Sequence, residues 1–213
     1  MRIKAHTRYY AERDGRKVRV PGTTTVTGVI NKPQLVSWAN RMGLDGIDTD
    51  SYRDELADAG TCAHALIEAH LTGGAVDVSE FTPEQLSLAE NAVVSYLEWE
   101  RGKDIEPILV EEALVSQEHM FGGTIDLYAK VDGVPMLIDL KTSKAIYKEH
   151  RIQVAGGYSL LLEENGHEVA QVRILRIGRE ESEGFDDLLI VNVAECRRAF
   201  IAARELYEAL KGV

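Results

Sequence analysis

Two aspartates and one lysine are spaced in a way that would bring them together on a β-hairpin. Asp139 and Lys141 are two residues apart in a short apolar run, so on a strand both side chains would project from one face. Asp126 lies in an earlier run of alternating apolar and polar residues, and Asp132-Gly133 between the runs is a strong turn signal. Two carboxylates about 4 Å apart repel by ~4 kcal/mol at an effective dielectric constant of about 20. A hard divalent cation would turn that repulsion into binding, which makes this hairpin a candidate metal site.

A histidine and a glutamate lie on a helix that is predicted upstream of the hairpin. The helix is predicted to begin at Ser51, to break or bend near Gly60 and to end at Leu71. His64 and Glu68 are four residues apart, so they share one face of it. Taken alone, a histidine on a helix is more often structural than a metal ligand.

The charged residues of the hairpin resemble the signature of the PD-(D/E)XK nucleases. Asp126 matches the first acid of that signature. The acid-x-lysine element is Asp139-Leu140-Lys141, and Ile125 stands where the family usually has proline. Without the resemblance, the three charged residues fit an edge hairpin with solvated side chains equally well.

The upstream helix extends the resemblance to a narrower group of nucleases. Gly60-Thr61-x-x-His64-x-x-x-Glu68 is similar to the motif that RecB-like and mitochondrial genome maintenance exonucleases place before their nuclease core. In those relatives the histidine approaches a divalent metal. Residues 26–39 also look like the N-terminal region of phage-encoded RecB-like exonucleases.

The resemblance implies roles for individual residues around one or two Mg²⁺ or Mn²⁺ ions. The implied metal ligands are Asp126, Asp139, the backbone carbonyl of Leu140, and His64, with Glu68 as a further candidate. Lys141 would position or deprotonate the attacking water, or stabilise charge that develops on the phosphate. Gln153 would orient the lysine or a phosphate oxygen.

Two adjacent glutamates precede the hairpin on a strand predicted over residues 108–116. Either Glu111 or Glu112 could reach the metal site, and Glu112 is the candidate that we carry forward. The register of a strand is not readable from sequence. More often, such a pair is one solvated and one partly paired carboxylate.

A helix predicted over residues 145–163 follows the hairpin, and a stripe of basic residues runs along its start. Lys144, Lys148 and Arg151 are spaced at i, i+4 and i+7, which indicates either a solvated face or a track for DNA phosphates. RecB-like nucleases carry Gln-x-x-x-Tyr here, but Gln153 and Tyr158 are five residues apart. At about 100° per residue, an α-helix turns Tyr158 away from Gln153 unless it is distorted near Gly156-Gly157.

The order of predicted elements favours an α/β (α+β) fold, with a central mixed β-sheet flanked by helices. Asp14-Gly15 predicts a second hairpin, and Thr82-Pro83-Glu84-Gln85 predicts a capped helix start. Later strands are predicted over residues 169–177 and 188–193, and a final helix over 193–210. The resemblance implies a restriction-endonuclease-like core with an N-terminal helical elaboration. We expect one domain over 1–213, with the hairpin and helical part in 1–104 and the nuclease core in 105–213.

Composition narrows the class of protein. The net charge of −11 argues against a general nucleic-acid coat protein, although residues 1–20 are locally basic. Two cysteines cannot hold the four-cysteine iron–sulfur cluster of some related nucleases, so we expect no such cluster. No apolar run reaches the roughly 18 residues of a membrane span, and no signal-peptide core follows the N-terminus. We therefore expect no membrane partner and a cytoplasmic location, in a bacterium or a phage-infected cell.

The function expected from these patterns is metal-dependent hydrolysis of DNA phosphodiester bonds. The first hypothesis is an exonuclease acting on single-stranded ends in phage-type recombination, replication or repair, with a recombination or annealing protein as a candidate partner. A structure-specific or restriction-type endonuclease of the same fold is the second. A catalytically silent DNA-binding module is the third.

Overall fold

A five-stranded mixed β-sheet and a separate two-stranded hairpin make up the β-structure of residues 7–213, the part of the chain that the computed structural model describes. The strands are β1 (Tyr9–Arg13), β2 (Arg16–Val20), β3 (Ile105–Ser116), β4 (Phe121–Val131), β5 (Val134–Lys141), β6 (Gln171–Ile177) and β7 (Phe185–Leu189). The larger sheet has the order β3-β4-β5-β6-β7. In it β5 and β6 run parallel, and the other neighbouring strands run antiparallel.

Helices flank this sheet and make its one parallel crossover. They are α1 (Thr23–Thr27), α2 (Pro33–Leu44), α3 (Thr49–Thr72), α4 (Pro83–Glu100), α5 (Lys148–Arg151), a π-helix (Ile152–Tyr158), α6 (Ser159–Glu164) and α7 (Val193–Leu210). The segment from α5 to α6 connects β5 to β6. Neighbouring strands that run parallel need a long connection of this kind. The general α+β class predicted from the sequence is confirmed. No helix within residues 7–213 is long and apolar enough to cross a membrane.

Two buried clusters of side chains cover the two faces of the sheet. Leu137 belongs to a cluster with Phe200 of α7, and its neighbour Ile138 belongs to a cluster with Trp99 of α4. Successive residues of a strand point to opposite faces, so the two clusters lie on opposite sides of the sheet.

Both hairpin turns have the backbone that their sequences predict. Asp14 and Gly15 have φ values of 52° and 72°, and Asp132 and Gly133 have values of 51° and 79°. Two successive residues with positive φ are typical of the two-residue turn whose twist matches that of the flanking strands. The predicted capping box of α4 is also present, because Thr82 accepts a hydrogen bond from the Gln85 amide and Gln85 accepts one from the Thr82 amide.

The predicted bend at Gly60 is wrong, because α3 runs unbroken through this position. A Cβ atom at Gly60 would lie 2.8 Å from Thr142 Oγ1, in the loop that follows β5. Glycine therefore allows the helix to approach the end of β5 closely. The helix also begins earlier than predicted, with the Asp48 side chain accepting a hydrogen bond from the Ser51 amide.

The helix after β5 and the last strand also differ from prediction. The helix after β5 begins at Lys148 and not at residue 145. Lys144 therefore lies in the loop before it, and the basic residues do not form one helical stripe. The last strand is Phe185–Leu189 and not residues 188–193. It pairs antiparallel with β6, and this pairing ends with Leu189 opposite Arg173.

Alanine at Gly156 is expected to lower the free energy of unfolding by roughly 2 kcal/mol, as overpacking of a filled site does. The added Cβ would lie 2.5 Å from the Cys196 carbonyl oxygen and 2.6 Å from Phe200 Cβ, so α7 would have to move away. For a chain of this size the melting temperature should fall by about 4–8 °C in a thermal scan.

The matched control for this substitution is Gly43→Ala. Gly43 lies in α2, and an added Cβ there meets no atom within 4 Å. The control should keep or slightly raise the melting temperature, because alanine favours helix over glycine. Equal melting temperatures for Gly156→Ala and the wild type would contradict the tight contact between the π-helix and α7.

Candidate active site

Side chains from α3, β3 and β4 converge beside the end of β5. His64 Nδ1 lies 3.1 Å from Glu111 Oε1 and 3.8 Å from Asp126 Oδ2. The potential ligand atoms of these three residues all lie within 4.8 Å of one another. Each side chain is partly buried, so the group is reachable from solvent yet shielded from most of it.

Asp126 is held against β5 by a backbone hydrogen bond. The regular pairing of β4 with β5 runs from Val131–Val134 to Leu127–Ile138. Beyond that point the amide of Leu140 donates to Asp126 Oδ2 at 2.8 Å. The Asp126 carboxylate thus accepts the hydrogen bond in place of a backbone carbonyl. This bond fixes the orientation of the Asp126 side chain.

Glu111, and not Glu112, is the glutamate that reaches the site. The pairs Val110–Leu127 and Glu112–Ile125 flank it, which places Glu111 opposite Asp126 across the β3–β4 ladder. Glu112 is exposed on the other face, so the sequence-based choice of Glu112 is wrong. Neighbouring strand residues face opposite sides, and only the register decides which one faces the site.

The backbone at Glu111 is itself unusual. Its φ is 48°, a left-handed conformation that costs energy for a residue other than glycine. Such conformations cluster at sites where the position of a side chain matters more than local stability.

Asp139 is fully buried and pairs with Lys141. Its Oδ2 lies 2.5 Å from Lys141 Nζ, an ion pair that forms as their spacing on β5 predicts. The other carboxylate oxygen, Oδ1, is buried and accepts no hydrogen bond within residues 7–213. Lys141 Nζ also donates to the Leu140 carbonyl at 3.4 Å. A buried carboxylate oxygen without a donor is costly, and a bound metal ion would satisfy it.

The electrostatics of the site follow from burial and from the crowding of acids. Burial raises the pKa of Asp139 to about 6, although Lys141 opposes the rise. Burial likewise raises the pKa of Asp126, against the effect of His64. Burial would lower the pKa of His64, but the charges of Asp126 and Glu111 outweigh it and raise that pKa to about 9.

The pKa of Lys141 is raised in the same way as that of His64. Its burial favours the neutral amine, but the negative charges of Asp139 and Asp126 raise its pKa above the ordinary value. Without a bound ion, His64 and Lys141 are therefore both protonated near neutral pH and act as counter-charges to the acids.

The donor set fits a divalent cation. Glu111 and Asp126 offer the carboxylate oxygens that Mg²⁺ and Mn²⁺ prefer, and the His64 imidazole is a donor that transition ions accept. Asp139 stands outside the set of three ligands, beside it on β5, with oxygens that a cation would satisfy. Glu68 lies one turn after His64 on α3 and lines the same cavity of about 400 Å³.

Gln153 and Tyr158 share one face because the helix between them is a π-helix. Gln153 Nε2 donates to the Tyr158 hydroxyl at 2.7 Å and to Thr24 Oγ1 at 3.1 Å. In a π-helix hydrogen bonds join residues five apart, so this spacing brings the two side chains together. The α-helix assumed from the sequence is wrong here, and the π-helix includes the two glycines, where α7 approaches closely.

The basic residues predicted to contact DNA are all exposed. Lys148 and Arg151 lie on α5, and Lys144 lies in the loop before it. Sequence reasoning missed Tyr9, whose hydroxyl lies 2.9 Å from Thr124 Oγ1 near Asp126. No local signal could have found Tyr9, because its position depends on how the β1–β2 hairpin docks on β4.

Comparisons with known proteins assign no family to the chain. No protein-family model matches the sequence, and no curated protein matches it. Among solved structures, the chain is similar to one titled "Crystal structure of SSO0001", with 16% sequence identity and a TM-score of 0.37. That match covers 88% of this chain and 74% of the other. A likeness this weak assigns neither family nor activity.

Proposed function

We propose that this chain is a metal-dependent deoxyribonuclease of the PD-(D/E)XK type that removes nucleotides from DNA ends, preferentially single-stranded ends. The buried Asp139 carboxylate carries the proposal, because Lys141 pairs with its Oδ2 while its Oδ1 accepts no hydrogen bond from residues 7–213. A structural ion pair would need its remaining lone pairs satisfied. A site that awaits a cation leaves them open.

The surroundings of Asp139 support the same reading. His64, Glu111 and Asp126 place three potential ligands beside it. The mixed sheet with flanking helices is compatible with the nuclease core that the sequence motifs imply. Mg²⁺ or Mn²⁺ held by these residues would acidify a bound water and neutralise charge on a phosphate.

The chain's own residues have distinct roles in this proposal. Lys141 would donate hydrogen bonds to the phosphate or to the attacking water, because the neighbouring acids raise its pKa in the ion-free site. Asp139 orients the Lys141 ammonium. Gln153 and Tyr158, joined by their hydrogen bond, present an amide and a hydroxyl on the adjoining wall. Lys148 and Arg151 are candidates for contacts with phosphates further along the strand.

The biological setting that the motif resemblance suggests is phage-type recombination, replication or repair. A recombination or annealing protein would be the natural partner in that setting. The corresponding location is the cytoplasm of a bacterium or of a phage-infected cell.

The decisive experiment is digestion of end-labelled linear single-stranded, linear duplex and circular single-stranded DNA, each with Mg²⁺, Mn²⁺ or EDTA. Linear DNA should be lost only with metal, and single-stranded DNA fastest. Lys141→Ala should reduce the rate by roughly 100-fold, because a positioned charged donor is lost from the reacting centre.

The matched control is Lys130→Ala, which removes an exposed lysine from β4 of the same hairpin and should leave the rate unchanged. Cleavage of circular DNA would replace the exonuclease with an endonuclease of the same fold. Metal-independent cleavage would contradict the proposed metal chemistry. No cleavage of any substrate would contradict the proposed enzyme and favour a DNA-binding module.

A further inference from the structure

A second cleft opens beside Asp126, on the side away from α3. It has a volume of about 820 Å³ and is bounded by the β1–β2 hairpin, α1, β4 and the end of α7. Asp126 and the buried Tyr158 are among its lining residues, so the cleft adjoins the candidate active site. A cleft of this volume takes a small part of an extended ligand and is too small to enclose a duplex.

The cleft is lined by cations although the chain as a whole carries a charge of −11. Arg8 and Arg19 line it from the hairpin, and Lys211 lines it from the residues after α7. Within residues 7–213 neither arginine forms an ion pair with an acidic side chain, whereas Lys211 pairs with the exposed Glu208 at 3.2 Å. Arg2 and Lys4, which add to the basic N-terminal segment, lie outside the described residues.

Aromatic rings accompany these cations. Tyr10 lies directly opposite Arg19 in the hairpin, and its side chain is 48% exposed. Tyr207 lines the cleft with Lys211 Nζ 4.9 Å from its ring centre. Cations that follow a backbone, with rings on which bases stack, are the combination by which proteins bind single-stranded nucleic acid.

Hydroxyl groups also line the cleft. Thr24 and Thr25 line it from α1 and are exposed, and Thr24 also accepts the hydrogen bond from Gln153. Hydroxyls donate to phosphate oxygens without adding charge. The lining of the cleft thus combines cations, hydroxyls and the Asp126 carboxylate.

We infer that this cleft binds the single strand that enters the active site, with phosphates on Arg8 and Arg19 and a base on Tyr207. The inference rests on the proposed function and adds the path of the substrate to it. It assigns the hairpin and the end of α7 to DNA binding, in addition to the basic residues of α5.

The test measures the binding of a fluorescently labelled oligo(dT) of about ten nucleotides by fluorescence anisotropy. EDTA is present so that no metal-dependent cleavage occurs during the measurement. Arg8→Gln/Arg19→Gln should weaken binding tenfold or more at moderate salt. It should also reduce the magnitude of the slope of log K against log[salt] by about 1.4, since each of the two phosphate contacts on a single strand contributes about 0.7. Tyr207→Leu should weaken binding by about tenfold with the slope unchanged, because it removes a stacking surface and no charge.

The matched control is Arg13→Gln/Arg16→Gln, which removes the same charge from the exposed tip of the same hairpin, outside the cleft. It should change affinity by less than about twofold at moderate salt. Equal weakening by both double variants, or no binding by the wild type, would overturn the cleft as the binding path.

The same variants separate this inference from the proposed function. If the wild type cleaves DNA and Arg8→Gln/Arg19→Gln binds and cleaves equally well, the path is wrong and the nuclease stands. If the wild type binds through the cleft but cleaves nothing with any metal, the path stands and the nuclease is wrong. Thermal scans of the two double variants should match the wild type, since both arginine pairs are exposed.

Discussion

Asp139→Asn is expected to lower the rate of metal-dependent DNA cleavage at least about 1000-fold, equivalent to about 4 kcal/mol of transition-state stabilisation. The substitution keeps the size of the side chain but removes the charge that orients Lys141 and faces the candidate metal site. The fold should persist in EDTA, because burial already disfavours the ionised form of Asp139, as its pKa of about 6 indicates.

The same variant should lose stabilisation by metal. A ligand at 100 times its dissociation constant stabilises a folded protein by about 2.7 kcal/mol. For a chain of this size, Mn²⁺ or Mg²⁺ at that concentration should raise the melting temperature of the wild type by roughly 5–11 °C. Asp139→Asn should show a much smaller increase in the same thermal scans.

Glu112→Gln is the matched control for Asp139→Asn. Glu112 is exposed and adjoins Glu111, but it faces away from the site. Its replacement should leave both the cleavage rate and the metal-induced increase in melting temperature unchanged. A folded Asp139→Asn protein that retains a tenth or more of wild-type activity would remove Asp139 from the proposed mechanism.

In the absence of metal, the free energy of unfolding should fall by about 2–3 kcal/mol as the pH rises from 6.5 through 9. The pKa of His64 is about 9 in the folded protein, against 6.5 for a free histidine. The folded state therefore binds the His64 proton more tightly than the unfolded state does. The resulting stability is complete below pH 6.5 and is lost as the pH passes through the folded pKa, at about 1.4 kcal/mol for each pH unit that separates the folded pKa from the unfolded one.

Urea unfolding in EDTA at several pH values measures this effect. His64→Gln should flatten the dependence between pH 6.5 and 9, because glutamine cannot titrate and can still donate to Glu111. His167→Gln, which replaces a histidine outside the site, should behave like the wild type. Asp139 does not confound this window, because its raised pKa of about 6 removes stability at lower pH, between about 4 and 6. A wild-type stability that is constant from pH 6.5 to 9 would contradict the close packing of His64 with Glu111 and Asp126.

The features that sequence predicted correctly depend on near neighbours in the chain. Asp132-Gly133 reverses the strand because these two residue types tolerate positive φ. Asp139 and Lys141 meet because side chains two apart share a strand face. Thr82 and Gln85 cap α4 because their side chains reach each other's backbone amides. Each outcome needs only a few residues of chain, so the amino-acid order alone is sufficient for it.

The features that sequence could not predict depend on contacts between distant segments. The choice of Glu111 over Glu112 depends on the register of β3 against β4. The role of Gly60 in the approach of α3 to Thr142 arises from a contact that joins two separate parts of the chain. The hydrogen bond between Gln153 and Tyr158 needs a π-helix, which is a rare conformation. In this protein the π-helix contains two glycines against which α7 packs. The order of amino acids thus established which residues could do chemistry, and the packing of distant elements established which of them meet.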